Sequence, residues 1–391
     1  MDADTGPGPK TLNLALQGGG SHGAFTWGVL DALLADRRIA IEGLSGTSAG
    51  AVNAVALASG WATAKGDRRV AAREALARLW DEVGSWGALG SLQDRMARAL
   101  WGGDGAPWGL PNPWAQAVTG LLSPYQTNPL DINPLRDLLQ RRIDFTALRR
   151  AGVPRVFVSA THVATGKAVI FSGAALTRDA VAASACLPTL FQAVRIGGQA
   201  YWDGGYAVNP PLTPLIASGR HDDILVVQIN PLRRDGLPDT ASRIADRMNE
   251  LTFNASLLAQ MRGIDKINRL IEGGHMVPGH CKSVRLHRVD GGAALLAYTA
   301  ASKADTDPAL IRDLFHIGQD AGRQWLVLHA DDIGVRGTVD VAADYEDDTR
   351  IDWPSACAPP AEGATVRERG FRPWLGRLLG RGREGGNGQA P

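Results

Sequence analysis

Two glycine-rich turns near the start of the chain constrain its fold more than any other feature. Each turn follows a short apolar run and precedes a run with helical spacing. The first unit reads TLNLALQ, GGG and GAFTWGVLDALLADRR, and the second reads IEGLSGT and SAGAVNAVALASG. The order of strand, glycine turn and helix, given twice, is typical of an α/β fold with a parallel sheet.

The α/β pattern returns in the second half of the chain. RVFVSATHV and KAVIFSG predict strands, RDAVAASACL a short helix, VRIGGQAYWDGG a hairpin and DILVVQIN a buried strand. Two long helices are predicted over 241–271 and 309–329. We expect a flexible tail over 1–10, a main domain over 11–220, a strand and helices packed on it over 221–350, and a disordered basic tail over 351–391.

Residues 80–130 differ in composition from the rest of the main domain. Five of the eleven tryptophans fall there, among many Gly and Pro residues: Trp80, Trp86, Trp101, Trp108 and Trp114. One interpretation is a loop-rich insertion that uses these aromatic side chains as its own small core. The other is an apolar cap that holds lipid chains or touches a membrane. The sequence leaves both open.

The bulk composition excludes several classes of protein. The 391 residues are 45% hydrophobic and carry a formal net charge of +1, so no global field favours a nucleic-acid partner. The cysteines Cys186, Cys281 and Cys357 form no CxxC pair, and we expect neither a disulfide framework nor a metal or cofactor. The stretch MDADTGPGPK lacks the features of a signal peptide, and no run has the length of a membrane span. We therefore expect a cytoplasmic protein.

The C-terminal segment RERGFRPWLGRLLGRGRE is basic and amphipathic. From residue 366 to 391 there are six Arg and two Glu, a local charge of +4. Such a segment can lie in an anionic membrane interface, which would place the protein at the membrane periphery. A basic disordered tail without a partner explains the same composition and is the simpler interpretation.

The second glycine turn contains a candidate nucleophile. Gly46-Thr47-Ser48-Ala49-Gly50 is a G-x-S-x-G run between a predicted strand and a predicted helix, the context of a nucleophile elbow. The turn lifts the Ser48 hydroxyl off the backbone at a helix N-terminus, where developing negative charge is favoured. The sequence predicts Ser48 as a nucleophile.

The first glycine turn can supply what a nucleophilic serine needs nearby. The backbone N–H groups of Gly18, Gly19 and Gly20 could form an oxyanion hole beside the Ser48 turn. The same region matches the dinucleotide pattern G-x-G-x-x-G through Gly23, but the acidic residue expected beyond it is represented only by Glu42. A purely structural turn is a third possibility.

A nucleophilic serine also needs a base. Asp203 in the run Trp-Asp-Gly-Gly is one candidate, although Asp-Gly is a common turn. Six of the eight histidines follow Asp203, so a Ser-Asp-His order stays open at this point. His275, His280 and Cys281 lie close together but match no standard metal site.

Taken together and in this order, GGGSHG, GTSAG and DGG resemble the patatin-like phospholipase family over residues 12–220. AASACLP before DGG and NPP after it add to the resemblance. The motif glycines are Gly18, Gly20, Gly23, Gly46, Gly50, Gly204 and Gly205. The resemblance implies a three-layer α/β/α sandwich with a mostly parallel central sheet. It also implies a Ser-Asp dyad without histidine or metal, with Ser48 as the nucleophile, Asp203 as the proton acceptor and Gly18–Gly20 as the oxyanion hole.

The activity implied by the resemblance is hydrolysis of lipid acyl esters, as in a phospholipase A or lysophospholipase. The substrate would be a lipid or phospholipid, with membrane contact through the Trp-rich insertion and the basic tail. The alternative is a lipid-binding or regulatory protein of the same fold with little catalysis.

One residue departs from the family pattern. His22 stands where the family usually has Arg or Lys after the glycine run. A histidine that steadied the glycine loop by its charge would make activity pH-sensitive. A histidine that packs or hydrogen-bonds there would not, and this second role is the one we favour.

Overall fold

The computed structural model describes residues 8–100, 123–276, 281–299 and 301–345, with the backbone alone over 87–100 and at 127, 242 and 301. The strands are β1 Lys10–Leu16, β2 Ile39–Thr47, β3 Arg155–His162, β4 Ala168–Ser172, β5 Val194–Ile196, β6 Gln199–Asp203, β7 Asp223–Gln228 and β8 Arg285–Asp290. The longer helices are α1 Gly23–Ala35, α2 Ala49–Ala62, α3 Arg68–Leu100, α5 Pro134–Arg142, α8 Ala241–Glu272 and α10 Pro308–His329. The shorter helices are α4 Pro124–Thr127, α6 Arg178–Ser184, α7 Thr213–Ser218, α9 Gly292–Leu296 and α11 Val341–Asp344.

One sheet joins all of these strands, in the order β5-β6-β3-β2-β1-β7-β8, with β4 on the free edge of β3. Strands β3, β2, β1, β7 and β8 run parallel to their neighbours in that series. Strands β4, β5 and β6 pair antiparallel. The sheet is therefore mixed and mostly parallel, as the repeated strand–helix units predict.

The side chains of the central strands alternate between two apolar layers. Leu14 and Leu16 of β1 lie in the core that also contains residues of α1, α2, α3 and α10. Ala15 points to the other face, into a core shared with α7, α8 and α11. Leu225 and Val226 of β7 divide in the same way. Because successive strand residues face opposite sides, helices cover both faces and the fold is a three-layer α/β/α sandwich.

The structure differs from the expected loop-rich insertion at its beginning. Helix α3 continues without a break to Leu100, so residues 80–100 are helical. Trp80 is buried in the main core, and its Nε1 donates a hydrogen bond of 2.9 Å to Asn53 Oδ1. Trp101, Trp108 and Trp114 lie outside the described residues, and a cap formed by them stays a prediction.

The chain beyond residue 220 continues the same sheet. Strand β7 follows that point and pairs directly with β1 in the centre of the sheet. The described residues from 8 to 345 form one compact unit by their contacts. The basic tail over 351–391 lies outside the described residues. None of the helices in the described ranges combines the length and the apolar character that crossing a bilayer requires.

Candidate active site

Ser48 lies in a strained turn between β2 and α2. Its φ of 53° and ψ of −122° are rare for a residue with a side chain and cost roughly 1–3 kcal/mol. Its N–H donates to Ser184 Oγ at 2.9 Å, which helps to hold this backbone. A Cβ on Gly46 would lie 2.5 Å from the carbonyl carbon of Gly50, so the turn closes only with glycine at position 46. This is the geometry expected of a nucleophile elbow.

The register of β3 brings Asp203 to the same end of the sheet. Thr47, the residue before Ser48, pairs with Ser159 of β3. Asp203, the last residue of β6, pairs with the next residue, Ala160. Strand β6 thus continues along β3 where β2 ends, and it delivers a carboxylate next to the elbow.

The Asp203 carboxylate is completely buried. Its Oδ1 accepts a hydrogen bond of 2.7 Å from Gly205 N–H. Its Oδ2 is buried without an aligned donor among the described side chains and backbone groups. Burial raises the pKa of Asp203 to about 7, and the Gly205 N–H and the nearby Ser48 hydroxyl oppose this only in part. Among the described groups, the Ser48 hydroxyl is thus the donor that remains near Oδ2.

The glycine loop lies directly against the elbow. A Cβ on Gly18 would be 2.8 Å from Ser48 Cβ. Gly20 has a φ of +58° and packs on the main-chain carbonyl of Lys303, a conformation and a contact that both favour glycine. Gly19 and Gly20 line the same cavity as Ser48. The loop can therefore present backbone donors to a group bound at Ser48.

One of the three loop amides is already in use. Gly18 N–H donates to Asn209 Oδ1 at 2.7 Å, and Asn209 Nδ2 lies 3.4 Å from Gly18 O. Asn209 follows Asp203 in the stretch AVNPP. The N–H groups of Gly19 and Gly20 make no hydrogen bond to the described parts of the chain. These two amides, rather than Gly18, are the donors free to meet an oxyanion.

His22 is buried behind the loop and uncharged at neutral pH. Its Nε2 lies 2.8 Å from Ser302 Oγ, and its ring meets the Tyr298 ring edge-on at 5.9 Å. Burial, with the positive charges of Lys303 and Arg234, lowers the pKa of His22 to about 4. The structure thus supports the packing and hydrogen-bonding role and not the electrostatic one.

Ser48 and Asp203 line one apolar cavity of about 380 Å³. Its walls come from α3, the start of α5, the segment after α6, and α8. The apolar lining residues are Val52, Leu79, Trp80, Val83, Trp86, Pro134, Leu135, Leu187, Leu190, Phe191 and Phe253. A cavity of this size and lining suits a hydrocarbon chain whose polar end meets Ser48.

The described structure gives little support to a histidine base, a dinucleotide site or a metal site, the alternatives that the sequence left open. No histidine of the described ranges lines the cavity. Glu42, the acidic residue of the dinucleotide alternative, is engaged by Arg155 at 3.1 Å and His221 at 2.8 Å. No cluster of three metal-ligating side chains occurs among the residues that the structure describes. His280 lies outside those residues.

Three site residues have no distinctive pattern of their own in the sequence: Ser184, Asn209 and Lys303. Ser184 lies in AASACLP and Asn209 lies in NPP. The position of these stretches on either side of the DGG motif is the sequence feature that could have indicated them. Lys303 lies in a short turn before α10 and carries no sequence signal.

The chain has distant structural similarity to two solved proteins. VipD from Legionella pneumophila is 16% identical, with a TM-score of 0.36, covering 82% of this chain and 67% of that one. The human GIVD cytosolic phospholipase A2, solved with methyl gamma-linolenyl fluorophosphonate, is 15% identical, with a TM-score of 0.39, covering 85% and 60%. No curated protein sequence matches this chain significantly.

The sequence profile of the Patatin family, described as patatin-like phospholipase, matches residues 14–216. That range is more than half of the 391 residues and contains the glycine loop, the elbow and the Asp-Gly-Gly turn. The chain belongs to the patatin-like phospholipase family.

Proposed function

We propose that this protein is a serine acyl hydrolase that cleaves lipid acyl esters through Ser48 and Asp203. The observation that carries the proposal is a single arrangement. A buried carboxylate with an unpaired oxygen, and a serine on a strained elbow, line the same apolar cavity. Family membership supports lipid hydrolysis in general.

In the first half-reaction, Ser48 Oγ bonds to the acyl carbon while its proton passes to Asp203 Oδ2. The Gly19 and Gly20 N–H groups stabilise the oxyanion that forms. The ester C–O bond then breaks, and Asp203 returns the proton to the departing alcohol. The acyl group is left on Ser48.

In the second half-reaction, water attacks the acyl carbon and gives a proton to Asp203. The bond to Ser48 Oγ breaks, Oγ recovers the proton, and a carboxylic acid leaves. No histidine is needed because the Asp203 pKa, raised to about 7, lies near the pH at which the carboxylate must exchange protons.

The test compares wild type with Ser48→Ala and Asp203→Asn on p-nitrophenyl esters of short and long acyl chains. We expect each variant to lower kcat/KM by about a thousandfold or more, since the two residues act as one unit. Thermal unfolding of each variant verifies the fold. Substantial turnover by folded Ser48→Ala would contradict the proposal.

Labelling by a fluorophosphonate separates hydrolysis from the lipid-binding alternative. An activated Ser48 reacts covalently, and the adduct is located by mass spectrometry. A binding protein with an unactivated serine stays unlabelled and also fails to turn over either ester. Ser48→Ala is the matched control for labelling at other sites.

A further inference from the structure

The cavity at Ser48 contains one positive charge. Among the described residues that line it, Asp203 is the acidic side chain and Lys303 is the basic one. His22, the nearest basic residue in the glycine-run motif, is neutral. Lys303 also lies beyond residues 14–216, the range that the family profile matches. It is thus a feature of this chain rather than of the matched motifs.

Lys303 is held by neutral groups. Its Nζ donates to Asn230 Oδ1 at 2.6 Å and to Asn249 Oδ1 at 2.8 Å, and it lies 5.7 Å from the centre of the Phe253 ring. An ammonium group has three N–H donors, so one remains without an acceptor in the described ranges. The side chain is positioned, and it has one donor left for a ligand.

The nearby carboxylates do not pair directly with Lys303. Glu250 is bound by Arg234 at 2.7 Å and by Arg247 at 3.1 Å. Burial lowers the pKa of Lys303 to about 8, although Glu250 and Asp246 attract its charge. A buried ammonium that lacks an anionic partner is costly, and a bound anion would relieve that cost.

Lys303 is also fixed relative to the oxyanion donors. Its main-chain carbonyl packs against Gly20. Asn230, one acceptor of its ammonium, donates from Nδ2 to Gly18 O at 3.1 Å. The cation and the glycine loop therefore form one connected wall of the cavity, next to the place where an ester carbonyl would bind.

We propose that Lys303 binds an anionic group of the lipid substrate, such as a phosphate on the alcohol side of the scissile ester, and thereby selects charged lipid esters over neutral ones. This inference rests on the proposed hydrolysis at Ser48 and assigns a specificity residue to it. The phosphate accepts the third ammonium N–H in a charge-assisted hydrogen bond. A neutral glyceride leaves that donor unmatched.

The experiment uses two substrates that differ only in the anion: a 1-acylglycerol and its 3-phosphate with the same medium-length acyl chain. Fatty-acid release is measured below the micellar range for wild type, Lys303→Met, Lys303→Arg and the exposed control Lys167→Met. We expect Lys303→Met to lower the ratio of kcat/KM for the phosphate ester to that for the neutral ester by about tenfold or more. The loss should appear mainly in KM, with Lys303→Arg recovering most of it and Lys167→Met resembling wild type.

Equal losses of kcat/KM on both substrates would show that Lys303 only supports the glycine loop, and unchanged kcat/KM on both would show that it has no role. Either result overturns the inference. If Lys303→Met does not fold, Ser48→Ala with Lys303 intact replaces it in a direct binding measurement. We then expect about tenfold tighter binding of the phosphate ester than of the neutral lipid. Equal affinities would contradict the inference.

Two further measurements show whether the assigned ligand or the proposed hydrolysis is wrong. Inorganic phosphate that inhibits neutral-ester hydrolysis as strongly as the lipid phosphate does would show a free-phosphate site and would refute the assigned ligand. If wild type and Ser48→Ala release no fatty acid from either lipid, it is the proposed hydrolysis that fails. In that case, direct binding of the two lipids to wild type and to Lys303→Met still tests Lys303.

Discussion

A carboxylate that accepts a proton near neutral pH needs a pKa well above that of an exposed aspartate. The surroundings of Asp203 raise its pKa, because burial disfavours its charged form and, among the described groups, Gly205 N–H alone binds it with good geometry. Ser48 stores strain of the kind often found at functional sites. At the residue scale, the raised pKa of Asp203 and the strained backbone of Ser48 both cost stability, and a functional role explains them better.

The raised pKa of Asp203 predicts a pH profile. Asp203 can take the Ser48 proton only when ionised, so kcat/KM on a neutral p-nitrophenyl ester should rise about tenfold per pH unit below about 7 and level off above it. Ser48→Ala gives the uncatalysed rate at each pH. A profile that is flat, or that levels off near pH 4, would contradict the assignment of this carboxylate as the base.

Stability provides an independent readout of the same pKa. Because the folded pKa is raised, the stabilising effect of burying the neutral acid is present at low pH and is lost as the pH rises through about 7. Asp203→Asn, which is always neutral, should therefore unfold at a higher temperature than wild type at pH 8. The difference should shrink toward pH 4, and a pH-independent difference would speak against the shift.

At the element scale, helix α3 shapes the cavity. It supplies Leu79, Trp80, Val83 and Trp86 to the wall, and Trp80 is anchored on α2 through Asn53. A regular helix holds these side chains at fixed spacing on one face. This helix face is therefore a regular surface that bounds the cavity containing Ser48 and Asp203.

Narrowing this wall should change chain-length preference. Val83 is 9% exposed and lines the cavity. Val83→Trp should lower kcat/KM on a long acyl ester about tenfold more than on a short one, because the larger ring occupies space for the chain. Val70→Trp is the matched control, since Val70 lies on the same helix and is 47% exposed. Equal effects on both esters would place the acyl chain elsewhere.

At the scale of the whole molecule, the residues that we propose to act at the site come from distant parts of the chain. The elbow follows β2, Asp203 ends β6, and Lys303 lies beyond β8. Leu190, at the cavity, is 51% exposed, so the apolar lining reaches the surface. Lipid delivered from a membrane would enter there, and the basic segment 366–391 remains our proposed membrane contact.

Deleting residues 366–391 tests that contact. The segment carries a charge of +4, and each basic residue near an anionic surface contributes about 1 kcal/mol, so the truncated protein should bind anionic vesicles at least tenfold more weakly. Vesicles of zwitterionic lipid and hydrolysis of a soluble ester serve as controls. Unchanged binding would remove the segment from the membrane contact.

The sequence by itself determined the α/β order, the elbow at Ser48, the glycine run and the Asp-Gly-Gly turn. These features have strictly local requirements. The tight turn admits only glycine at positions 46 and 50, and strands and helices show their own periodicities. Residues 80–100 are helical although their Gly and Trp content resembles that of a loop, and Trp80 and Val83 of this helix pack in the main core.

Only the tertiary structure decided which groups meet at the site. The register of β3 places Asp203, and none of the described histidines, next to the Ser48 turn, and Asn209 accepts the hydrogen bond of the Gly18 amide. Burial left His22 neutral, and Lys303 joined the cavity from far along the chain. Burial and hydrogen bonding between distant segments set these properties. Neither has a local signature, because both depend on which residues the sheet brings together.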